Sequence, residues 1–292
     1  MMLSFELIKE VSRELRKFPQ HAYKVIQHRL IGAKVHYKKY YFGKHPKQYL
    51  CWFEPAKHTQ DAIILFFHGG AWTFGSPELF NNRATLFTKL GYTVVMPSHR
   101  KLPQFGFSDI REDLSLILNK IGQLLVDKGI SNKKIILGGM SSGGNLAALL
   151  LFDNSILLET TFKKEDFTGA FLCAAPLNLK EMTPSFVLTK YAGKRTSNSF
   201  RKASPINHIP SHFSKPILII HGTKDGLVKF DSVRIFVEKL NLNSLVPVDF
   251  HIIPDGSHLD AVSWAYEDNA IRKVVFNWLE KVKGSPSGLP IL

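Results

Sequence analysis

The stretch Ile135-Ile136-Leu137-Gly138-Gly139-Met140-Ser141-Ser142-Gly143-Gly144-Asn145 decides the reading of this chain. An apolar run ends in Gly139-Met140-Ser141-Ser142-Gly143, and Leu146-Ala147-Ala148-Leu149-Leu150 follows it. This is G-x-S-x-G set between a buried strand and a helix. A serine at so sharp a turn projects its hydroxyl above the sheet edge, and only small flanking residues let the two arms of the chain pass. The helix it opens presents unpaired backbone N–H groups and a positive dipole end. Ser141 is therefore the candidate nucleophile. A bland glycine-rich turn could give the same five residues, and the strand before and helix after weigh against it.

Upstream, Ile63-Ile64-Leu65-Phe66-Phe67 is a continuous apolar run, as expected of a strand buried on both faces. It ends in His68-Gly69-Gly70-Ala71-Trp72. Acyl transfer develops an oxyanion, and backbone N–H donors must already point at it. The Gly69-Gly70-Ala71 loop is the candidate oxyanion hole. Its expected donors are the amides of Gly70 and Ala71, joined by that of Ser142. The alternative is an ordinary strand-end turn.

A base and its orienting acid should follow the serine, acid first. Pro216 to His221 reads as a strand, and Asp225 lies in the loop after it. Val248 to Ile253 reads as another, followed by a loop with His258. In this reading Asp225 holds one imidazole nitrogen of His258, and the other takes the Ser141 proton. The chain has 12 histidines, so competitors matter. His251 falls within the last strand and His221 at the end of the one before. Asp255 and Asp260 flank His258 closely, and Asp231 lies in the next helix.

These residues resemble the alpha/beta-hydrolase family, and more narrowly its hormone-sensitive-lipase-like branch of carboxylesterases. The resemblance spans about residues 45 to 282. His68 to Trp72 looks like that branch's H-G-G-G motif, with Ala71 replacing the third glycine but keeping its N–H. Pro97-Ser98-His99-Arg100-Lys101-Leu102-Pro103 is similar to a segment with a tyrosine-arginine-leucine core, with His99 where tyrosine is usual. At the serine elbow, Met140 stands where an acidic residue is more common, and Ser142 where alanine is. The resemblance implies a mostly parallel sheet with helices on both faces and a small cap. It also implies a Ser-His-Asp triad acting on small or medium acyl esters without a metal or organic cofactor. Arylformamidases carry a similar H-G-G-x-W stretch and the same triad, so formamide hydrolysis is the alternative chemistry. A catalytically silent receptor-type module on the same fold is a third reading, against which the three triad candidates argue.

Strands are expected near 62–67, 93–97, 134–138, 169–174, 216–221 and 248–253. Helices are expected near 79–90, 107–128, 143–152, 230–241 and 261–282. Such alternation implies an α/β fold with a mostly parallel sheet. Every candidate site residue then falls just after a strand, at the edge where open α/β sheets bind ligands. Residues 33–42 and 48–54 read as a leading hairpin. Leu3, Leu7, Ile8, Val11 and Leu15 are spaced as on an amphipathic helix. Such a helix could lie across the cap, or on a membrane surface given Lys9, Arg13, Arg16 and Lys17. About forty residues separate two of the strands, which suggests an inserted cap. The expected layout is one domain over 1–282 with cap elements at about 1–30 and 178–207, then a disordered tail over 283–292. Trp72, Phe186 and Tyr191 are the candidate pocket residues; Val187, Leu188 and Phe200 could line the pocket with them, or all of the 186–200 set could be cap core.

Composition bounds the rest. Hydrophobic residues make up 45% and charged residues 21%, ordinary for a globular protein. Only Cys51 and Cys173 are present, each in an apolar run, so buried free thiols are expected. Glu6 and Glu10 interrupt any signal-peptide core, and no 18-residue apolar stretch occurs, so cytoplasmic residence is the default expectation. The net charge of +14 is concentrated: residues 1–60 carry 12 basic against 4 acidic residues, and residues 178–207 carry 6 against 1. A basic surface can simply aid solubility. The sharper alternative is a positive cap that attracts acidic esters or makes weak contact with an anionic membrane. No nucleic-acid recognition motif appears.

Overall fold

The computed structural model describes residues 36–131 and 134–284, together with Ser12, Glu14, Arg16, Lys17 and Pro19, which are helical. Leu3, Leu7, Ile8, Val11 and Leu15, and the tail beyond Gly284, lie outside the described residues. Eight strands form one sheet: β1 (Lys38–Tyr41), β2 (Tyr49–Phe53), β3 (Ile63–Phe67), β4 (Thr93–Pro97), β5 (Ile135–Met140), β6 (Phe167–Cys173), β7 (Ile217–Gly222) and β8 (Val248–Ile253). Their order is β1-β2-β4-β3-β5-β6-β7-β8. The leading hairpin pairs antiparallel and joins β4 antiparallel, while the remaining strands run parallel.

The strand sequences explain the two layers around this sheet. In β3, Ile63, Leu65 and Phe67 face one core, and Ile64 and Phe66 face the other. In β7, Ile217 and Ile219 divide from Leu218 and Ile220 in the same way. Alternate side chains of a strand point to opposite faces, so an unbroken apolar run means cover on both sides. One face is covered by α2 (Phe107–Asp127), α3 (Ser142–Phe152) and α6 (Phe230–Asn241). The other is covered by α1 (Asn81–Lys89) and α7 (Ala270–Gly284). Every residue of α3 is buried, as its Leu146-to-Phe152 run requires. Between β6 and β7 stand two short helices, α4 (Phe186–Ala192) and α5 (Asn198–Ala203), flanked by 3-10 turns.

One expected element differs. The single helix over 261–282 is a 3-10 turn, Asp260–Ala265, followed by a break and then α7. Asn269 accounts for the break. Its side-chain oxygen accepts the Arg272 amide at 3.0 Å, which caps a new helix start, while its Nδ2 donates to Ser263 Oγ at 2.8 Å. Cys51 and Cys173 are buried and unpaired. No helix among the described residues is long and apolar enough to cross a membrane.

Phe171 in β6 ties the second face together, with ring centroids 5.8 Å from Phe66, 5.6 Å from Phe87 and 6.0 Å from Trp278. It is fully buried. Phe171→Ala is expected to destabilise the fold by about 3–5 kcal/mol, lost transfer energy plus the cavity left behind. Urea unfolding would measure it, and a loss near zero would mean that this face is not the close-packed core described.

Candidate active site

At the end of β5 the chain turns abruptly into α3. Ser141 sits at φ 52° and ψ −127°, a left-handed conformation that costs energy for any residue with a side chain. Its N–H donates to the Cys173 carbonyl at 2.8 Å, and its carbonyl accepts the amides of Gly144 and Asn145 at 2.9 and 3.2 Å. The turn closes only because its flanks are bare. A Cβ on Gly139 would strike the Gly143 carbonyl, and one on Gly143 would strike the carbonyls of Phe67 and His68.

The loop after β3 meets this turn. Gly70, Ala71 and Trp72 hold φ values of 135°, 51° and 57° in succession. The Gly70 carbonyl anchors the bend by accepting the amides of Thr73 and Phe74 at 2.9 and 3.0 Å. Gly69 presses against the elbow, since a Cβ there would lie 3.3 Å from Ser141 Cβ. Among the described residues, the amides of Gly70, Ala71 and Ser142 donate to no acceptor. Three N–H groups beside one serine are thus available to a developing negative charge.

The loops after β7 and β8 bring the other two candidates together. His258 Nδ1 donates to Asp225 Oδ2 at 2.8 Å. Asp225 Oδ1 accepts the amides of Leu227 and Val228 at 2.9 and 2.8 Å. Both side chains are buried. Burial alone would lift the Asp225 carboxyl, but His258, His221 and the Val228 amide outweigh it and hold Asp225 below its usual value. Burial alone would lower His258, but the charge and hydrogen bond of Asp225 raise it above its usual value. The competitors are engaged elsewhere. Asp255 is exposed and pairs with Lys224 at 2.5 Å, Asp260 accepts the Ser257 amide at 2.8 Å, and Asp231 pairs with Arg234 at 3.0 Å. His251 lies within β8, and His221 Nε2 donates to the Val228 carbonyl at 2.9 Å.

Ser141 opens on a cavity of about 470 Å³. Ala71, Trp72 and Ser142 line one side, Gly226, Leu227 and Val228 another, and Met182, Val187 and Leu188 a third. Trp72 is where the sequence suggested a pocket residue. Phe186 and Tyr191 are not. Phe186 is 70% exposed, and Tyr191 is buried behind Trp72, with its ring stacked on the indole at 3.9 Å and its hydroxyl bonded to Asn145 Oδ1 at 2.8 Å. Val187 and Leu188 of α4, also offered by the sequence, do line the cavity.

Two features had no local signal in the sequence. Glu14 is buried, and its Oε1 accepts the amides of His258 at 2.5 Å and Gly226 at 3.2 Å. Behind the Gly69-Gly70-Ala71 loop, Lys101 Nζ lies 3.3 Å from His68 Nε2 and 3.2 Å from His99 Nε2. His68 Nδ1 donates to the Gly69 carbonyl at 2.7 Å and His99 Nδ1 to the Arg100 carbonyl at 2.5 Å, which leaves both Nε2 atoms as acceptors for the ammonium. Burial drops His68 to about 3 and Lys101 to about 7. Among the described residues no group of three or more His, Cys, Asp or Glu side chains could hold a metal ion.

Comparison with known proteins agrees with this architecture. Esterase B from Lactobacillus rhamnosis superposes with a TM-score of 0.73 at 19% identity, covering 96% of each chain. The butyrate-bound Est2 of Thermogutta terrifontis gives 0.68 at 20% identity, covering 84% of this chain and 94% of that one. In sequence, the chain is 27% identical to esterase LipC of Mycobacterium tuberculosis over 243 residues, 77% of this chain and 60% of LipC. It is 28% identical to an arylesterase of Saccharolobus solfataricus over 130 residues, 43% of this chain and 42% of the arylesterase. The chain thus spans about half the length of the curated relatives it matches. The BD-FAE family model matches residues 52–240, which run from β2 through the oxyanion loop, the serine elbow and the Asp225 loop to α6. The chain belongs to the BD-FAE family, within the hormone-sensitive-lipase-like branch of the alpha/beta hydrolases.

Proposed function

We propose that this chain is a serine hydrolase that cleaves carboxylic esters of small or medium acyl chain through an acyl-enzyme. The observation that carries the reading is the left-handed Ser141, opening on a cavity beside three amides without acceptors. Ser141 Oγ attacks the ester carbonyl while His258 Nε2 takes its proton. The carbonyl π electrons move onto oxygen, and the amides of Gly70, Ala71 and Ser142 receive that oxyanion. The tetrahedral species collapses, the alkoxide leaves with the proton from His258, and Ser141 is left acylated. Water then attacks with His258 as base, and the acid departs. Asp225 fixes the imidazole tautomer and stabilises the imidazolium. An esterase B structure inhibited by a tributyrin phosphonate supports the substrate class by likeness of fold. The cavity walls agree with it, since none of the described residues lining them has an ionisable side chain.

Ser141→Ala is expected to lower turnover of short p-nitrophenyl esters by a factor on the order of 10⁴ or more while leaving folding intact. An organophosphonate should label the wild-type chain at Ser141 alone. A variant that keeps a tenth of the activity would move the nucleophile elsewhere. An arylformamide run beside the esters reads the alternative chemistry, and a rate at least tenfold above the esters would favour it.

The pH dependence follows from the Asp225–His258 pair. Only neutral imidazole accepts the serine proton, so kcat/KM should rise with pH through the His258 pKa. Asp225 raises that pKa, so the midpoint should lie above the ordinary histidine value of about 6.5. Asp225→Asn should move the midpoint down and cut kcat by a factor on the order of 10⁴. A pH–rate profile with unchanged midpoint and rate would assign the orienting acid to another carboxylate, with Asp255 first to test.

A further inference from the structure

We propose that Glu14 is a positioning residue for the Asp225–His258 pair, stapling together the two loops that carry them and placing a second negative charge beside the imidazole. This rests on the reading of His258 as the general base. One oxygen, Oε1, accepts from the His258 amide at 2.5 Å and from the Gly226 amide at 3.2 Å. These amides belong to different loops, one after β8 and one after β7, which are also joined by the Lys224 amide on the Gly256 carbonyl at 2.9 Å, the Asp255 amide on Thr223 Oγ1 at 2.8 Å and the bond of His258 to Asp225; Glu14 adds a link next to the pair itself. The same helical segment grips the base loop a second time. One turn on, Lys17 Nζ bonds Asp260 Oδ2 at 2.6 Å and Ser257 Oγ at 3.2 Å. A turn's spacing puts residues 14 and 17 on one face. Ser12 of this segment lines the cavity.

The chemistry of the group argues for a use of its charge. A glutamine oxygen could accept the same two amides. A buried carboxylate instead carries a desolvation cost, here the greater because Oε2 is buried with no hydrogen-bond partner among the described residues. What a carboxylate adds is charge. The groups facing it are His258, Asp225 and, beyond Asp225, His221, with Lys17 neutralised by Asp260 on the outer side. Burial raises Glu14, while the His258 and Gly226 amides and the charge of His258 oppose that rise. When His258 takes the Ser141 proton, Asp225 favours the imidazolium by direct contact and Glu14 favours it through space.

The staple and the charge separate in two variants. Glu14→Gln keeps an acceptor oxygen and removes the charge. Its kcat should fall several-fold, KM for a short ester should hold, and the acid limb of the pH–rate profile should shift to lower pH. Glu14→Ala removes both, and its kcat should fall further, by about tenfold or more below the glutamine variant. A readout independent of turnover uses the Ser141→Ala background. There the His258 Nδ1 proton, deshielded by its bond to Asp225, is followed by NMR, and Glu14→Gln should lower its titration midpoint. Activity surviving in Ser141→Ala would overturn the serine-hydrolase reading and leave the NMR titration to judge Glu14. If Glu14→Gln moves neither the limb nor the titration, the charge role is wrong, and wild-type kcat in Glu14→Ala would remove the staple as well. Should the alanine variant not fold, the glutamine variant decides alone.

Discussion

The backbone at Ser141 is the constraint on which the rest of this architecture depends. A serine held at φ 52° persists only when its surroundings leave no easier conformation. Here β5 fixes one arm through pairing with both β3 and β6, and the wholly buried α3 fixes the other. The crossing needs bare backbone at Gly139 and Gly143, because each lacks room for a Cβ against main chain. The strand order then does the positioning. β3 lies on one side of β5 and delivers the Gly69-Gly70-Ala71 loop. β7 and β8 lie on the other and deliver Asp225 and His258. Parallel strands end at one edge, so three loops distant in sequence are brought to the same edge of the sheet as the serine.

Electrostatics around the proposed base follow a different logic from the apolar core. Two carboxylates, Asp225 and Glu14, and two imidazoles, His258 and His221, share a buried volume. Burying so many ionisable groups is tolerable only where hydrogen bonds replace water. Asp225 accepts from two amides and one imidazole, and His221 is committed to the Val228 carbonyl. This arrangement fixes tautomers as well as positions. With Nδ1 of His258 donating to Asp225, its Nε2 is the nitrogen left to accept a proton. Behind the oxyanion loop a second cluster uses the opposite sign. Lys101 donates into two neutral imidazoles, and His68 in turn holds the Gly69 carbonyl.

Much of this was legible in the sequence where local pattern and tertiary role coincide. The runs 93–97 and 248–253 read as strands because β-branched and aromatic residues predominate there, and the strands occupy those residues. The elbow was legible because steric necessity leaves its glycines visible. The single helix expected over 261–282 was not correct. Val262 with Ala265, and Ile271 with Val275, are each spaced as one helical turn, and the break between the two pairs is revealed by the Asn269 hydrogen bonds. In the segment between β6 and β7, composition marked the aromatic residues but not their direction. Tyr191 went inward because Asn145 offered an acceptor for its hydroxyl, and Phe186 went outward beneath Lys190. Glu14 was illegible for a simpler reason. Its partners are backbone amides more than two hundred positions away, and an amide leaves no mark on the sequence.

The distribution of charge constrains how the basic excess can act. Among the described residues, none with an ionisable side chain lines the cavity at Ser141. Three cations of the segment between β6 and β7, Lys180, Arg195 and Arg201, lie instead along a separate groove, where they join Lys239 of α6. Two of them are engaged with main chain. Arg195 donates to the carbonyls of Lys180 and Met182, and Lys239 to that of Ile206. Met182 also lines the cavity, so the 180–182 strip is the wall between a charged groove and an uncharged pocket. Exposed charges act over about 8 Å at physiological ionic strength, and they act on approach more than on bound contacts. A positive field on the outer side of that wall can therefore influence which molecules reach the mouth. The cavity inside is lined by a different set of side chains, Trp72, Val187, Leu188 and Leu227, whose contribution is shape and apolar area rather than charge.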